Sequence, residues 1–385
     1  MLNGVSSNPV LTAFPYLPLA QPLQVGPWTV APLSEFKGTW ASSRFETSAR
    51  AFLAAFRTPA GGDLENPAVV ARHGALDGCA PTPAERNVLE RAVGFAVIDS
   101  NPYWADETKY AGHQIATSDN ADLWVQPLDT VGHWITLERG SRIRTTIGGH
   151  RLTDGGFMIP SPLELNLPMV VRCDDLTADA LYRLLTSSPD AHRIRTAVDW
   201  LLKSWKNSAS ISEVDRIVFL KTALEALTGE SSTQTAGPAL VTLFSDAATQ
   251  EGEGIGLSGL LWSPSESTRT RTWSSGGKVH TQDVSELEHW YGALADARNE
   301  IIHEGANSQR SYSEDGSPYV GPIAEVADRV TREAILVAMG TAGHPEVWRR
   351  GLSRASLLAY RELRTQSQGA APWKSVHRDT EANRH

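Results

Sequence analysis

The chain has 385 residues, 41% hydrophobic and 21% charged, which is the make-up of a folded protein of roughly two domains. Its net charge of -9 argues against sequence-blind attraction to nucleic acid, so any RNA contact needs a local basic patch. The two cysteines, Cys79 and Cys173, match no metal or redox spacing and cannot build a disulfide framework, which points to a reducing cytoplasm.

Taken in order, residues 1–60 are rich in proline and aromatics, with short extended runs such as Trp28-Thr29-Val30. No basic residue precedes Lys37, and Pro9, Pro15, Pro18 and Pro22 interrupt the apolar stretch, so neither a signal peptide nor a membrane span is expected. Thr82, Pro83 and Glu85 form a capping box with proline at the first helical position, and Val88, Leu89, Ala92, Val93 and Ala96 follow as a buried stripe. From Leu123 to Val171 the pattern is strand and turn. Trp134–Leu137 and Ile143–Ile147 flank Gly140-Ser141 as a hairpin.

The character changes near Cys173. Leu181, Leu184 and Leu185 begin a helix that Ser188-Pro189 ends; Ile194, Ala197, Val198, Leu201, Leu202 and Trp205 form the stripe of a second. A third, from about Glu213 to Thr228, follows a Ser210-x-x-Glu213 box and stops at Gly229; it is apolar on nearly all sides and should lie at the centre of a bundle. Residues 229–282 carry little pattern beyond a short helix over Leu240–Ala247, and Ser263–Gly277 reads as a loop. A helix opens near Glu286, another at Pro322, and a last one covers about Val347–Leu363. The tail from Thr365 reads as disordered. The fold class expected is therefore α+β: a mixed, β-rich N-terminal domain (1–175), an all-α helical domain (176–364) and a tail (365–385).

The helix from Glu286 carries the most informative residues. Leu287, Trp290, Tyr291, Leu294, Ile301 and Ile302 define an apolar face, and Arg298 falls near its middle. Asp296, Asn299 and His303 share another side, with Glu300 beside them. An arginine on an apolar face is costly unless it is paired or lines a cleft. Glu225 is the candidate partner, unless it pairs locally with Lys221 one turn away. Arg144–His150 and Arg378–His385 have comparable spacing, but only Arg298–His303 lies on a long amphipathic helix.

Two stretches resemble the HEPN superfamily of metal-independent ribonucleases, within it the Apea-like HEPN domains. One is Arg298-Asn299-Glu300-Ile301-Ile302-His303, similar to the family's Arg-polar-x3-His signature. The other is Asp215–Leu227, similar to its helix ending in Leu-Glu-Ala-Leu. The resemblance covers about residues 176–345. It departs at Gly305, where some HEPN toxins have a Tyr. It implies an HEPN-type bundle, a composite site between two paired motifs in a homodimer through the helical domain, and products ending in a 2′,3′-cyclic phosphate and a 5′-OH.

These residue types suit that chemistry. An imidazole serves as base for the 2′-OH or acid for the leaving 5′-oxygen. A guanidinium is a permanent, planar partner for phosphate, and Asn299 can orient the histidine or a non-bridging oxygen. One motif holds one histidine while in-line displacement wants two proton carriers, which a two-fold dimer supplies. Arg310 is a further RNA-binding candidate, with Arg329, Arg332, Arg349, Arg350 and Arg354 beyond it. No metal-ligand constellation and no cofactor motif accompanies them. The leading expectation is an RNase effector, for which the resemblance implies a defence or abortive-infection role acting on tRNA or other host RNA, with the N-terminal half either sensing a trigger, such as a phage-derived one, or restraining the nuclease. The alternatives are a non-catalytic HEPN protein for dimerisation or nucleotide binding, and a toxin held by a separate antitoxin.

Overall fold

The computed structural model describes residues 9–36, 40, 42–107, 116–127, 134–139, 143–148, 171, 173–188, 191–206, 211–250, 268–304, 311–312, 321–344 and 347, with the backbone alone for 101–107, 134–139, 143–148, 246–250 and a few single positions. The expected helix at Val347–Leu363, the tail and Arg310 lie outside the described residues, Val347 excepted.

A mixed α+β fold results. The N-terminal half is built on strands β1 (Val10–Phe14), β2 (Leu23–Val25), β3 (Trp28–Pro32), β4 (Ala68–Arg72), β5 (Trp124–Pro127), β6 (Trp134–Arg139) and β7 (Ile143–Gly148), with helices α1 (Ser43–Leu53) and α2 (Pro83–Glu107). The strands form one antiparallel sheet in the order β2-β3-β4-β1-β5-β6-β7. The expected hairpin is present as β6 and β7, Arg139 opposite Ile143. Strand alternation sorts side chains to two faces. Leu11, Ala13, Val69 and Ala71 pack with Phe45, Phe52 and Phe56 of the α1 region; Phe14, Val30, Ala68 and Val70 pack towards α2. The α2 cap is the one the sequence announces: the Thr82 amide donates to the Glu85 carboxylate (2.8 Å), and the Glu85 amide donates to the Thr82 hydroxyl (3.3 Å).

The second half contains α3 (Asp175–Ser187), α4 (His192–Ser204), α5 (Glu213–Thr228), α6 (Thr233–Gln250), β8 (Thr268–Ser275), β9 (Lys278–Ser285), α7 (Glu286–Glu304), the short pair β10 (Ser311–Tyr312) and β11 (Gly321–Pro322), and α8 (Ile323–Thr341). Helix α5 touches α4, α6, α7 and α8, the central position its all-round apolarity predicts. Its N-terminal box is Ser212 with Asp215 rather than Ser210 with Glu213, and Gly229 caps its end at φ +75°.

Two expectations for the stretch before α7 are overturned. The helix foreseen at Leu240–Ala247 extends over Thr233–Gln250, and much of the foreseen loop is a strand. Thr268–Ser275 pairs with Lys278–Ser285 along its full length. Gly276 and Gly277, both at positive φ (+57° and +74°), close the hairpin as a two-residue turn of the kind that follows the right-handed strand twist.

One apolar core runs across the boundary expected at residue 175. Phe14, Trp28, Val93, Leu181, Leu201, Leu224, Trp290 and Val330 belong to the same cluster. Polar ties cross it too. Arg91 of α2 holds Asp199 of α4 through two bonds (2.7 and 2.9 Å). The turn between β2 and β3 docks on α3, where the Gly26 amide donates to Asp179 (2.7 Å) and the Trp28 indole donates to the Tyr182 hydroxyl (3.2 Å). Gly26 has φ +58°, and a Cβ there would lie 2.3 Å from the Tyr182 ring, so a glycine is required. Among the described residues no helix is long and apolar enough to cross a membrane.

Candidate active site

Helix α7 starts from a further capping box, one absent from the sequence expectations. The Ser285 amide donates to the Glu288 carboxylate (2.8 Å), and the Glu288 amide donates to the Ser285 hydroxyl (3.3 Å). Leu287, Trp290, Tyr291, Leu294, Ala295 and Ala297 are buried against the bundle. The helix then emerges from the core. Arg298, Glu300 and Ile301 are half-buried, while Asp296, Asn299, Ile302 and His303 are exposed. His303 lies in the last turn, where the carbonyl end of the helix favours positive charge.

Arg298 is in register with Tyr291, two turns earlier, and so lies on the buried side as expected, but it reaches the edge of the core. Its Nη1 donates to Oδ1 of Asn299 at 3.2 Å. Among the described residues no carboxylate is within ion-pair distance of it. The structure corrects the expected support from Glu225, which pairs instead with Lys221 at 2.5 Å. The reason is axial distance. Glu225 sits beside Tyr291, about 10 Å along the helix from Arg298. Arg298, Asn299 and His303 thus share the last two turns of α7, with Asp296 and Glu300 alongside; Arg298 bonds Asn299, and its side of the helix is turned by about 140° from that of His303. Arg332, one of the remoter candidates for RNA, is committed to the buried Asp328 (2.9 Å), which also accepts from the Trp205 indole.

The Lys221–Glu225 pair forms a separate buried cluster with Tyr291. Burial, and then the charge of Glu225, push the Tyr291 hydroxyl well above its ordinary range. That hydroxyl is buried without a hydrogen-bond partner. It is a core group rather than a proton carrier, and deleting it should relieve a desolvation cost. Tyr291→Phe is expected to stabilise the chain by about 1 kcal/mol, read as a higher Tm. A fall of similar size would show that the hydroxyl is satisfied after all.

Neither cysteine belongs to the site. Burial, then neighbouring Asp174, push the Cys173 thiol far up, so it stays protonated and inert, whereas Cys79 is half-buried. A chromogenic disulfide reagent should therefore titrate one thiol on the native chain and the second only on unfolding. Two fast thiols in the native protein would contradict this. Among the described residues no group of three His, Cys, Asp or Glu is placed to hold a metal ion.

Compared with models of protein families, with curated proteins and with solved structures, the chain matches none.

Proposed function

We propose that the chain is a metal-independent endoribonuclease of the HEPN type, a cytoplasmic defence effector that cleaves tRNA or other host RNA and works as a homodimer through its helical half. The observation that carries this reading is Arg298. It is a half-buried residue whose guanidinium makes an exposed hydrogen bond to Asn299 and has no carboxylate partner among the described residues, at the helix end that also presents His303. An arginine left uncompensated at the edge of a core is suited to an external anion.

The chemistry follows from the groups present. One His303 imidazole takes the proton of the 2′-OH as the 2′-oxygen bonds to phosphorus. The His303 of a second copy, protonated, delivers a proton to the 5′-oxygen as the P–O5′ bond breaks. Arg298 offsets the charge that builds on the non-bridging oxygens. Asn299 accepts from Arg298 through Oδ1, which leaves its amide N–H groups for phosphate or imidazole. The exposed Ile302, 47% accessible beside Asn299 and His303, gives this helix end an apolar contact for the second copy.

Co-expressing wild-type and His303→Ala chains tests the composite site. If both motifs serve one cleft, activity follows the square of the wild-type fraction, so an equal mixture retains about one quarter of the activity. Retention of about half would mean each chain cleaves alone and would remove the dimer from the mechanism.

A further inference from the structure

We propose that the β8–β9 ribbon is an arm that binds a single-stranded stretch of RNA and leads it to the Arg298–His303 end of α7; this deepens, and rests on, the nuclease reading above. The ribbon has little core of its own. Residues 278–283 of β9 are exposed, and a lone two-stranded hairpin is marginal in water. It is anchored at its base, where Val284 is buried and Arg269 pairs with Glu286 at 3.2 Å.

Alternation and register put Arg269, Arg271 and Trp273 on one face together with His280 and Lys278 from the opposite strand. Trp273 and His280 stack with ring centroids 5.4 Å apart and planes 15° from parallel, and the Arg271 guanidinium lies 5.6 Å from the Trp273 ring. Arg271 and Lys278 have no ion-pair partner among the described residues. Asp283, on the other face, accepts from the Thr270 hydroxyl. In a chain of net charge -9 this is a local cationic strip beside a stacked aromatic pair, the half-buried Trp273 and the exposed His280. That combination takes phosphates and unstacked bases, which single-stranded RNA offers and duplex RNA hides.

Its placement joins it to the motif. Arg271 lies across Gly292 of α7, where a Cβ would come within 2.4 Å of its Nε. Gly292, Asp296, Asn299 and His303 fall within an arc of about 60° on the helix. The ribbon therefore lies against the same side of α7 that presents the candidate catalytic residues, and its path follows the helix. Arg269 meets Glu286 at the helix start, and Arg271 meets Gly292 one and a half turns on.

The test uses the full chain carrying His303→Ala, with a short fluorescein-labelled single-stranded RNA read by anisotropy, and cleavage assays in the chain with His303 intact. Trp273→Ala should weaken binding roughly tenfold. Arg271→Ala with Lys278→Ala should flatten the salt dependence by about 0.7 per lost phosphate contact. Gly292→Ala should displace Arg271 and weaken binding with no loss of Tm, since alanine suits a helix interior better than glycine; it keeps the test valid should a ribbon variant misfold. In cleavage, the ribbon variants should raise KM with kcat little changed. Unchanged RNA affinity and KM in variants that fold, while the parent chain cleaves, would overturn the arm and leave the nuclease reading standing. Loss of dimer with RNA affinity intact would also overturn it, making the ribbon a contact between copies. Ribbon-dependent binding without cleavage by the parent chain would support the arm and sink the nuclease reading instead.

Discussion

His303→Ala is expected to lower RNA cleavage by about 10²–10⁴-fold or more, because loss of a general acid or base costs that much and a composite site loses both proton carriers together. The dimer and the melting temperature should be unchanged. His303 is exposed at a helix end, where it offsets the carbonyl partial charge, worth about 0.3–1 kcal/mol. Any toxicity of the expressed chain should vanish with the activity. Chelation should not imitate the variant, since among the described residues His303 belongs to no group placed to hold a metal ion. Full activity in the variant would remove His303 from the mechanism.

Lys221→Met should be a costly charge change in the bundle, and Arg298→Ala a cheap one. Lys221 is 4% exposed and neutralises Glu225 between α5 and α7. Removing it leaves a largely buried carboxylate beside the Tyr291 ring, for which a loss of about 3 kcal/mol is expected, the low end for a broken buried pair because Glu225 keeps some access to water. Arg298 is half-buried and makes one exposed, neutral hydrogen bond, so its truncation should stay within about 1 kcal/mol. Parallel denaturant titrations separate the two. If Arg298→Ala unfolds the chain and Lys221→Met does not, Arg298 is a structural residue and its proposed role in phosphate binding fails.

How far each of these features could be read from residues alone depended on whether the signal was local. The α2 and α5 helices announce their ends through Thr82/Glu85 and Gly229, and the α4 stripe from Ile194 to Leu201 is buried as its spacing requires. The β6–β7 hairpin was legible from alternating residues around Gly140-Ser141. The β8–β9 ribbon was equally local, with Gly276-Gly277 between two strands, but its polar residues mimic a loop because β9 is exposed from Lys278 to Asp283 and the half-buried face of β8 carries Arg269 and Arg271 in place of aliphatic side chains. Glu225 is the opposite case. Its two cationic candidates, Lys221 and Arg298, are both helix-compatible in one dimension, and only the axial offset between α5 and α7 decides for Lys221. The burial of Arg332 on Asp328 likewise depends on α4 and α8 meeting at Trp205, a tertiary fact that periodicity does not carry. The continuous core across residue 175 was invisible for the same reason: the change of pattern there marks a change of secondary structure, not a gap in packing.

Metal-free transesterification at the Arg298–His303 motif is tested most directly by the end chemistry of RNA fragments. Purified chain is incubated with total tRNA in EDTA, beside His303→Ala chain, and the fragment ends are mapped. The proposed mechanism predicts fragments bearing a 2′,3′-cyclic phosphate and a 5′-OH from the wild type, formed in EDTA, and none from the variant. Intact tRNA, cleavage that survives His303→Ala, or 5′-phosphate ends that disappear with EDTA would each contradict it.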